Sequence, residues 1–202
     1  MKAKEHWGNP ETAKIWLDRV EKRKRTLKKS ENTEITSIPF IIKEIKKSKF
    51  DSFMEVGAGN GRIIGAISKK FKGKKCYSCD INAELSKYIS ENYPKISVLE
   101  GSVDVSNMPI ANNSFDLVYT FQVLQHVPQE EMEKALSELI RITKKELWLM
   151  EGYDNPAHYN NGQMRKGTDG GSFSWYFDRM LECYEVIEPN KDTGVRIYKI
   201  KK

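Results

Sequence analysis

A chain of 202 residues with 39% hydrophobic and 31% charged side chains has apolar content for one substantial core, and too many aromatic and branched side chains for a disordered segment. No apolar run reaches the roughly 18 residues a membrane helix needs, and residues 1–7 lack the apolar stretch of a signal peptide, so a cytoplasmic protein with no membrane contact is expected. The net charge of +6 is uneven, with 14 Lys/Arg against 7 Asp/Glu in the first fifty residues and near balance in the rest.

Asn9-Pro10-Glu11 sets a capping side chain, a proline and an acid in succession, which predicts a helix over residues 10–29. Ala13, Trp16, Leu17, Val20 and Leu27 share one stripe of it, and basic residues between 19 and 29 fill the other side. That basic face is either a solvated helix surface or a contact for nucleic acid or an anionic substrate. A second helix is expected over 38–47. From Phe53 onward, apolar runs of strand length alternate with amphipathic helices: 53–56, 76–81, 96–99, 115–121 and 147–150. This alternation predicts a mostly parallel sheet with crossover helices. Asn82 caps a helix that turns Leu85 and Ile89 inward. Pro128 opens another, with Met132, Ala135, Leu136, Leu139 and Ile140 at helical spacing.

Residues 153–171, rich in Asn, Gly, Asp and His, form a long irregular stretch of the kind used as a lid or binding loop, or else a plain surface loop. A helix over 173–181 and strands over 184–188 and 195–200 follow, the strands joined by a short antiparallel connection at 190–194. The three cysteines, an odd number, argue against a disulfide framework. Cys76 and Cys79 have the spacing of half a zinc site or a redox pair. They lack a second pair, and on a strand side chains three apart point to opposite faces, so they read as core cysteines.

The segment Phe53-Met-Glu-Val-Gly-Ala-Gly-Asn-Gly-Arg-Ile-Ile64 carries the chemistry. A strand ends near Val56, glycines stand at 57, 59 and 61, and a helix begins near Arg62. Glycines permit a sharp turn and close backbone approach, and the helix start offers free N–H groups, so a nucleotide-like ligand is expected on this turn. Asp80 ends the next strand roughly 20 residues on, where a carboxylate can take both hydroxyls of a ribose. The alternative role for Asp80 is to cap the helix beginning at Ala83, but Asn82 is better placed for that.

In these motifs the sequence resembles the class I S-adenosylmethionine-dependent methyltransferases, especially the broad group acting on small molecules. Glu55-Val-Gly-Ala-Gly-Asn-Gly61 is similar to the family's first motif, Cys79-Asp80-Ile81 to its second, and Asn113-Ser-Phe-Asp-Leu-Val-Tyr119 to the start of its fourth strand. The resemblance implies a Rossmann-like, mostly parallel seven-stranded sheet with helices on both faces and a C-terminal antiparallel hairpin. One domain over 1–202 is expected: a basic helical N-terminal cap (1–50), a cofactor-binding core (51–152), and an acceptor loop with the hairpin (153–202). The implied cofactor is S-adenosyl-L-methionine, held by Glu55, Gly57, Ala58, Gly59, Asn60, Gly61, Asp80 and Ile81. Ser102 and Val103 stand on the adenine side, with Asp104 a further candidate, and Phe121 and Gln122 on the methionine side.

The family often has an acid directly after the glycine of the adenine loop, where this chain has Ser102 and Val103 before Asp104. His126 is the candidate catalytic residue, either as a base for an acceptor hydroxyl or as a local packing residue. Thr120 to Gln125 lacks the Asn/Asp-Pro-Pro-Tyr/Phe run of amino-methylating nucleic-acid enzymes, and no cysteine nucleophile lies between Cys79 and Cys183. Asp154-Asn155 is present, but Phe121-Gln122 offers no carboxylate, so no bound metal is expected. The resemblance implies methyl transfer to a small-molecule, sugar or peptide-like acceptor. Two other possibilities are an RNA methyltransferase using the basic N-terminus and a non-catalytic protein that binds the cofactor.

Overall fold

The computed structural model describes residues 3–26, 33–152, 173–188 and 195–202. The N-terminal segment holds α1 (Ala3–Trp7), α2 (Pro10–Thr26) and α3 (Thr33–Ile45). The core then alternates β1 (Ser52–Val56), α4 (Arg62–Lys70), β2 (Lys75–Cys79), α5 (Ala83–Asn92), β3 (Ser97–Val98), β4 (Phe115–Phe121), α6 (Gln129–Ile142) and β5 (Thr143–Gly152). Strands β6 (Glu185–Ile187) and β7 (Val195–Lys201) complete a seven-stranded sheet in the order β3-β2-β1-β4-β5-β7-β6. Strands β1 to β5 pair in parallel, and β7 runs antiparallel between β5 and β6. This is the Rossmann-like arrangement that the resemblance implied.

Alternation along the strands splits the core into two layers, because successive strand side chains point to opposite faces. Met54 and Val56 pack with Met132, Ala135, Leu136 and Leu139 of α6 on one face. Phe53 packs with Ile41 and Ile45 of α3 and Ile63, Ile64 and Ile67 of α4 on the other. Cys76 and Cys79 fall in different layers, as expected of core cysteines three apart on a strand. The second layer also carries a buried ion pair. Lys199 of β7, 1% exposed, reaches Glu44 of α3 at 3.1 Å and Glu185 of β6 at 2.8 Å. Its ammonium lies 4.3 Å from the centroid of the Trp148 ring. Among the described residues, no helix is long and apolar enough to cross a membrane.

Several boundaries differ from the sequence expectations. The second helix begins at Thr33 rather than at 38 and carries Pro39 inside it. Strand β5 starts at Thr143, four residues before the apolar run, because Thr143 already pairs with Phe115 of β4, and the exposed Lys144 and Lys145 fall at a register shift before the pairing resumes at Glu146. The expected helix over 173–181 is not formed, and only Phe177–Arg179 makes a 3-10 turn. The reason is burial. Ser174, Trp175, Tyr176 and Phe177 are all buried in succession, which one stripe of a helix cannot achieve. The Trp175 and Phe177 rings stack at 6.5 Å, the i,i+2 contact of an extended chain. The stretch 153–171 and the connection 190–194 lie outside the described residues, as does Leu27 of the N-terminal stripe.

Candidate active site

The sheet order places β1 between β2 and β4, so the chain leaves β1 toward one edge and returns on its other side at β4. In such sheets the crevice beyond the carboxyl ends of these strands is the ligand site. The turn after β1 is fixed there by backbone bonds: the Gly57 and Ala58 N–H groups donate to the Cys79 carbonyl at 2.9 and 3.0 Å. Gly59 has φ +56, a conformation that other residues seldom adopt. Its N–H donates to Asp80 Oδ2 at 2.8 Å.

Asp80 sits just past β2 and is buried, and its Oδ1 accepts from the Asn82 N–H at 2.9 Å. Burial pushes its carboxyl up, against the bonds from Asn82, Gly59 and Ile81 that favour the charged form. Asn82 itself caps α5, its side chain accepting from the Glu84 N–H at 3.1 Å. The α5 cap is thus Asn82, and Asp80 lines the cleft.

The cleft has a volume of about 240 Å³. Glu55, Gly57, Ala58, Gly59, Asn60, Asp80, Ile81, Val103, Phe121, Gln122 and His126 line it. Gly61 and Ser102 stand outside this lining. Gly61 faces Ile89 of α5 and Tyr93 just past its end, where a Cβ would meet side chains at 2.9 and 3.0 Å, and the Ser102 hydroxyl donates to the Ile81 carbonyl. Asp104 and Val105 line the cleft beyond Val103. Glu55 is 2% exposed and accepts from the Tyr119 hydroxyl at 3.2 Å. Burial pushes its carboxyl up to about 8, against the Tyr119 bond.

After β4 the chain makes a tight turn that ends in a 3-10 segment, Leu124–His126. The His126 ring packs on Trp7 with centroids 4.4 Å apart, and its Nε2 lies 3.3 Å from Gln125 Nε2. Tyr153, His158 and Tyr159 of the expected acceptor loop lie outside the described residues.

The roof of the cleft was not legible in the sequence. Trp7, Thr12, Ala13 and Trp16 of the N-terminal segment line it together with Lys4. Lys4 pairs with Asp104 at 2.5 Å and Glu131 at 2.9 Å. Asn82 Nδ2 donates to the carbonyls of Trp7 and Asn9, at 2.8 and 2.9 Å. Trp16 covers the glycine turn, since a Cβ built on Gly59 would lie 2.9 Å from its indole edge. Two tryptophans within an otherwise basic segment were the available signal. Glu151 was also missed, although it is a charged residue closing the apolar run of β5.

These features fit S-adenosylmethionine. The turn offers bare backbone at the switch point, and Asp80 sets a buried carboxylate on the cleft wall. Aromatic and aliphatic walls suit the flat base. Among the described residues, no group of His, Cys, Asp and Glu is arranged to hold a metal ion.

Comparison with known proteins agrees with this geometry. Residues 54–150 match the family model described as a methyltransferase domain. The chain is 26% identical over 143 residues to phosphoethanolamine N-methyltransferase 1 of Zea mays, covering 69% of this chain and 26% of that protein. It is 33% identical over 67 residues to O-methyltransferase 7 of Dictyostelium discoideum, covering 33% of this chain and 20% of that protein. The chain thus spans about a fifth to a quarter of the length of these curated relatives.

Among solved structures, PigF with SAH superposes with a TM-score of 0.72 at 17% identity, over 100% of this chain and 62% of that one. A TehB-like SAM-dependent methyltransferase from Corynebacterium glutamicum gives 0.65 at 18% identity, over 96% of this chain and 100% of that one. Residues 54–150 thus carry a methyltransferase domain, and the chain has the fold of these S-adenosylmethionine-dependent methyltransferase structures.

Proposed function

We propose that this chain transfers the methyl group of S-adenosylmethionine to a small-molecule acceptor, with sugar-like and peptide-like compounds within that class. The observation that carries the proposal is the roof. Trp7 and Trp16 line the cleft from above, and the Asn82 and Lys4 contacts hold the N-terminal segment over it, a cover that a polymer strand would have to displace and a small acceptor would not. The Trp7 indole N–H is buried with no partner among the described residues, which makes it a donor available to a polar atom of a bound molecule. The relative named for phosphoethanolamine N-methylation supports a small acceptor.

When bound, the cofactor supplies a methyl group on a positively charged sulfur. Transfer is a direct displacement, so the protein's contribution is placement and, for a hydroxyl acceptor, removal of a proton. We assign the ribose to Asp80 and the methionine side to the Gly57–Gly59 turn with Phe121 and Gln122. Ile81 and Val103, with Asp104, are assigned to the adenine side, and Glu55, Ala58 and Asn60 shape the turn itself. His126 is assigned the proton, because its ring lines the cleft on the same turn as Gln122.

The test is to incubate the protein with S-adenosylmethionine carrying a labelled methyl, in a metabolite extract and with total RNA. Label in a low-mass compound is the expected result. Label in RNA would favour an RNA methyltransferase, and cofactor binding with no transfer to any fraction would favour a binding protein.

A further inference from the structure

A buried carboxylate without an assigned part in methyl transfer holds the turn after β4. Glu151, 3% exposed, lies near the end of β5. Its Oε1 accepts from Thr120 Oγ1 at 2.7 Å and from the Val123 N–H at 3.3 Å, and its Oε2 accepts from the Leu124 N–H at 3.1 Å. The Gln125 N–H adds to the same set. Successive N–H groups at the start of a helical turn have no partners of their own, and a carboxylate is a strong acceptor for them.

Two further observations tie this carboxylate to the cleft. Gln122 has φ +56, a left-handed conformation that a non-glycine residue keeps only where its surroundings over-determine it. The Gln122 N–H is held by the Met150 carbonyl at 2.8 Å, and the next residues of the turn by Glu151, so two neighbours on β5 fix the strained segment. Val123 in turn lies against the glycine turn, where a Cβ on Gly57 would fall on its methyl groups.

We propose that Glu151 is the positioning residue of the transfer site: its carboxylate fixes the 122–126 turn, so that Gln122 and His126 stand in the cleft and Val123 braces Gly57. The role in transfer rests on the methyl-transfer reading of the cleft. Glu151 acts through these residues and is outside the cleft lining. Thr120 is the second anchor, since its hydroxyl orients the same carboxylate.

The test uses the free protein and SAH, with Glu151→Ala, the milder Glu151→Gln, and Thr120→Val. In Glu151→Ala, hydrogen exchange at the Leu124 and Gln125 amides should quicken by about tenfold or more beyond any change at β1 and β4, since charge-assisted bonds are lost locally. The His126 ring resonances should move as its packing on Trp7 loosens, and SAH affinity should fall by about tenfold. Glu151→Gln, which keeps one acceptor oxygen, should lie between, with Thr120→Val nearest the wild type. Should Glu151→Ala fail to fold, the Gln and Val variants give the same comparison.

A uniform rise in exchange across the sheet, with His126 resonances at their wild-type positions, would overturn the proposal and leave Glu151 a stability residue. Absence of SAH binding in the wild type would count against the site reading itself, whereas exchange and ring signals judge the Glu151 contacts independently.

Discussion

The Gly59 N–H donates to the Asp80 carboxylate at 2.8 Å, which ties the end of β2 to the turn after β1. The same carboxylate therefore holds the protein's own turn while it faces the cleft. Asp80→Ala removes an acceptor from two backbone N–H groups, of Gly59 and Asn82, so stability should fall by about 1–3 kcal/mol. SAH affinity should fall by at least about tenfold, since bonds to a charged group are worth roughly 1.5–3 kcal/mol each. Calorimetric titration beside a melting curve checks both. Lowered stability with unchanged affinity would restrict Asp80 to a structural role.

Gly59 combines a left-handed backbone with the Trp16 indole 2.9 Å from where a Cβ would sit. Gly59→Leu should remain folded, because the residue lies at the surface of the cleft, yet abolish measurable SAH binding. Trp16→Ala opens the space above residue 59 but leaves the backbone conformation unchanged. Adding it to Gly59→Leu should therefore recover only part of the affinity, as titration of the double variant would show.

The buried Glu55 and Glu151 carboxyls make stability depend on pH. Glu55 is pushed from 4.5 to about 8, and Glu151 from 4.5 to about 7, in both cases first by burial. Between the unfolded and folded values, the folded protein keeps protons that the unfolded chain has released. Stability is therefore greatest at the acid end of this window and falls as pH rises through about 7 and then about 8. The Glu55 contribution is on the order of 4 kcal/mol. Melting temperature should drop between pH 6 and pH 9, and Glu55→Gln should remove most of the drop. A flat profile in the wild type would show that these carboxyls are solvated.

His126 is both packed on Trp7 and exposed to the cleft, which gives its two possible roles different signatures. As the base for a hydroxyl acceptor, its loss in His126→Ala should leave SAH affinity within about threefold and cut turnover by about two to four orders of magnitude. His126→Phe, which keeps a ring for Trp7 to pack on, should restore stability without restoring turnover. Near-normal turnover in His126→Phe would assign the ring to packing alone.

The parts of the site written in local pattern were legible. The glycine turn and Asp80 follow strands of alternating or continuous apolar character, and Asn82 fills a capping position that can be identified from spacing alone. The roof was not, because α1 has only five residues, too few for a helical period to register, and its anchoring depends on Lys4 meeting Asp104 and Glu131 from distant segments. The extension of β5 through Thr143–Glu146 was hidden by two exposed lysines. The 174–177 stretch misled for the opposite reason: its aromatic density resembles a helix face, but the side chains insert from an extended chain. Glu151 could be placed only once the register of β4 against β5 was known, since its partners lie some thirty residues away in sequence.

A crystal structure of the protein with SAH would show directly how the cleft holds the cofactor. SAH is expected in the cleft beneath Trp7 and Trp16, its ribose hydroxyls bonded to Asp80 and its sulfur end beside Gly57, Phe121 and Gln122. SAH bound elsewhere, or in the cleft with its ribose away from Asp80, would contradict this placement.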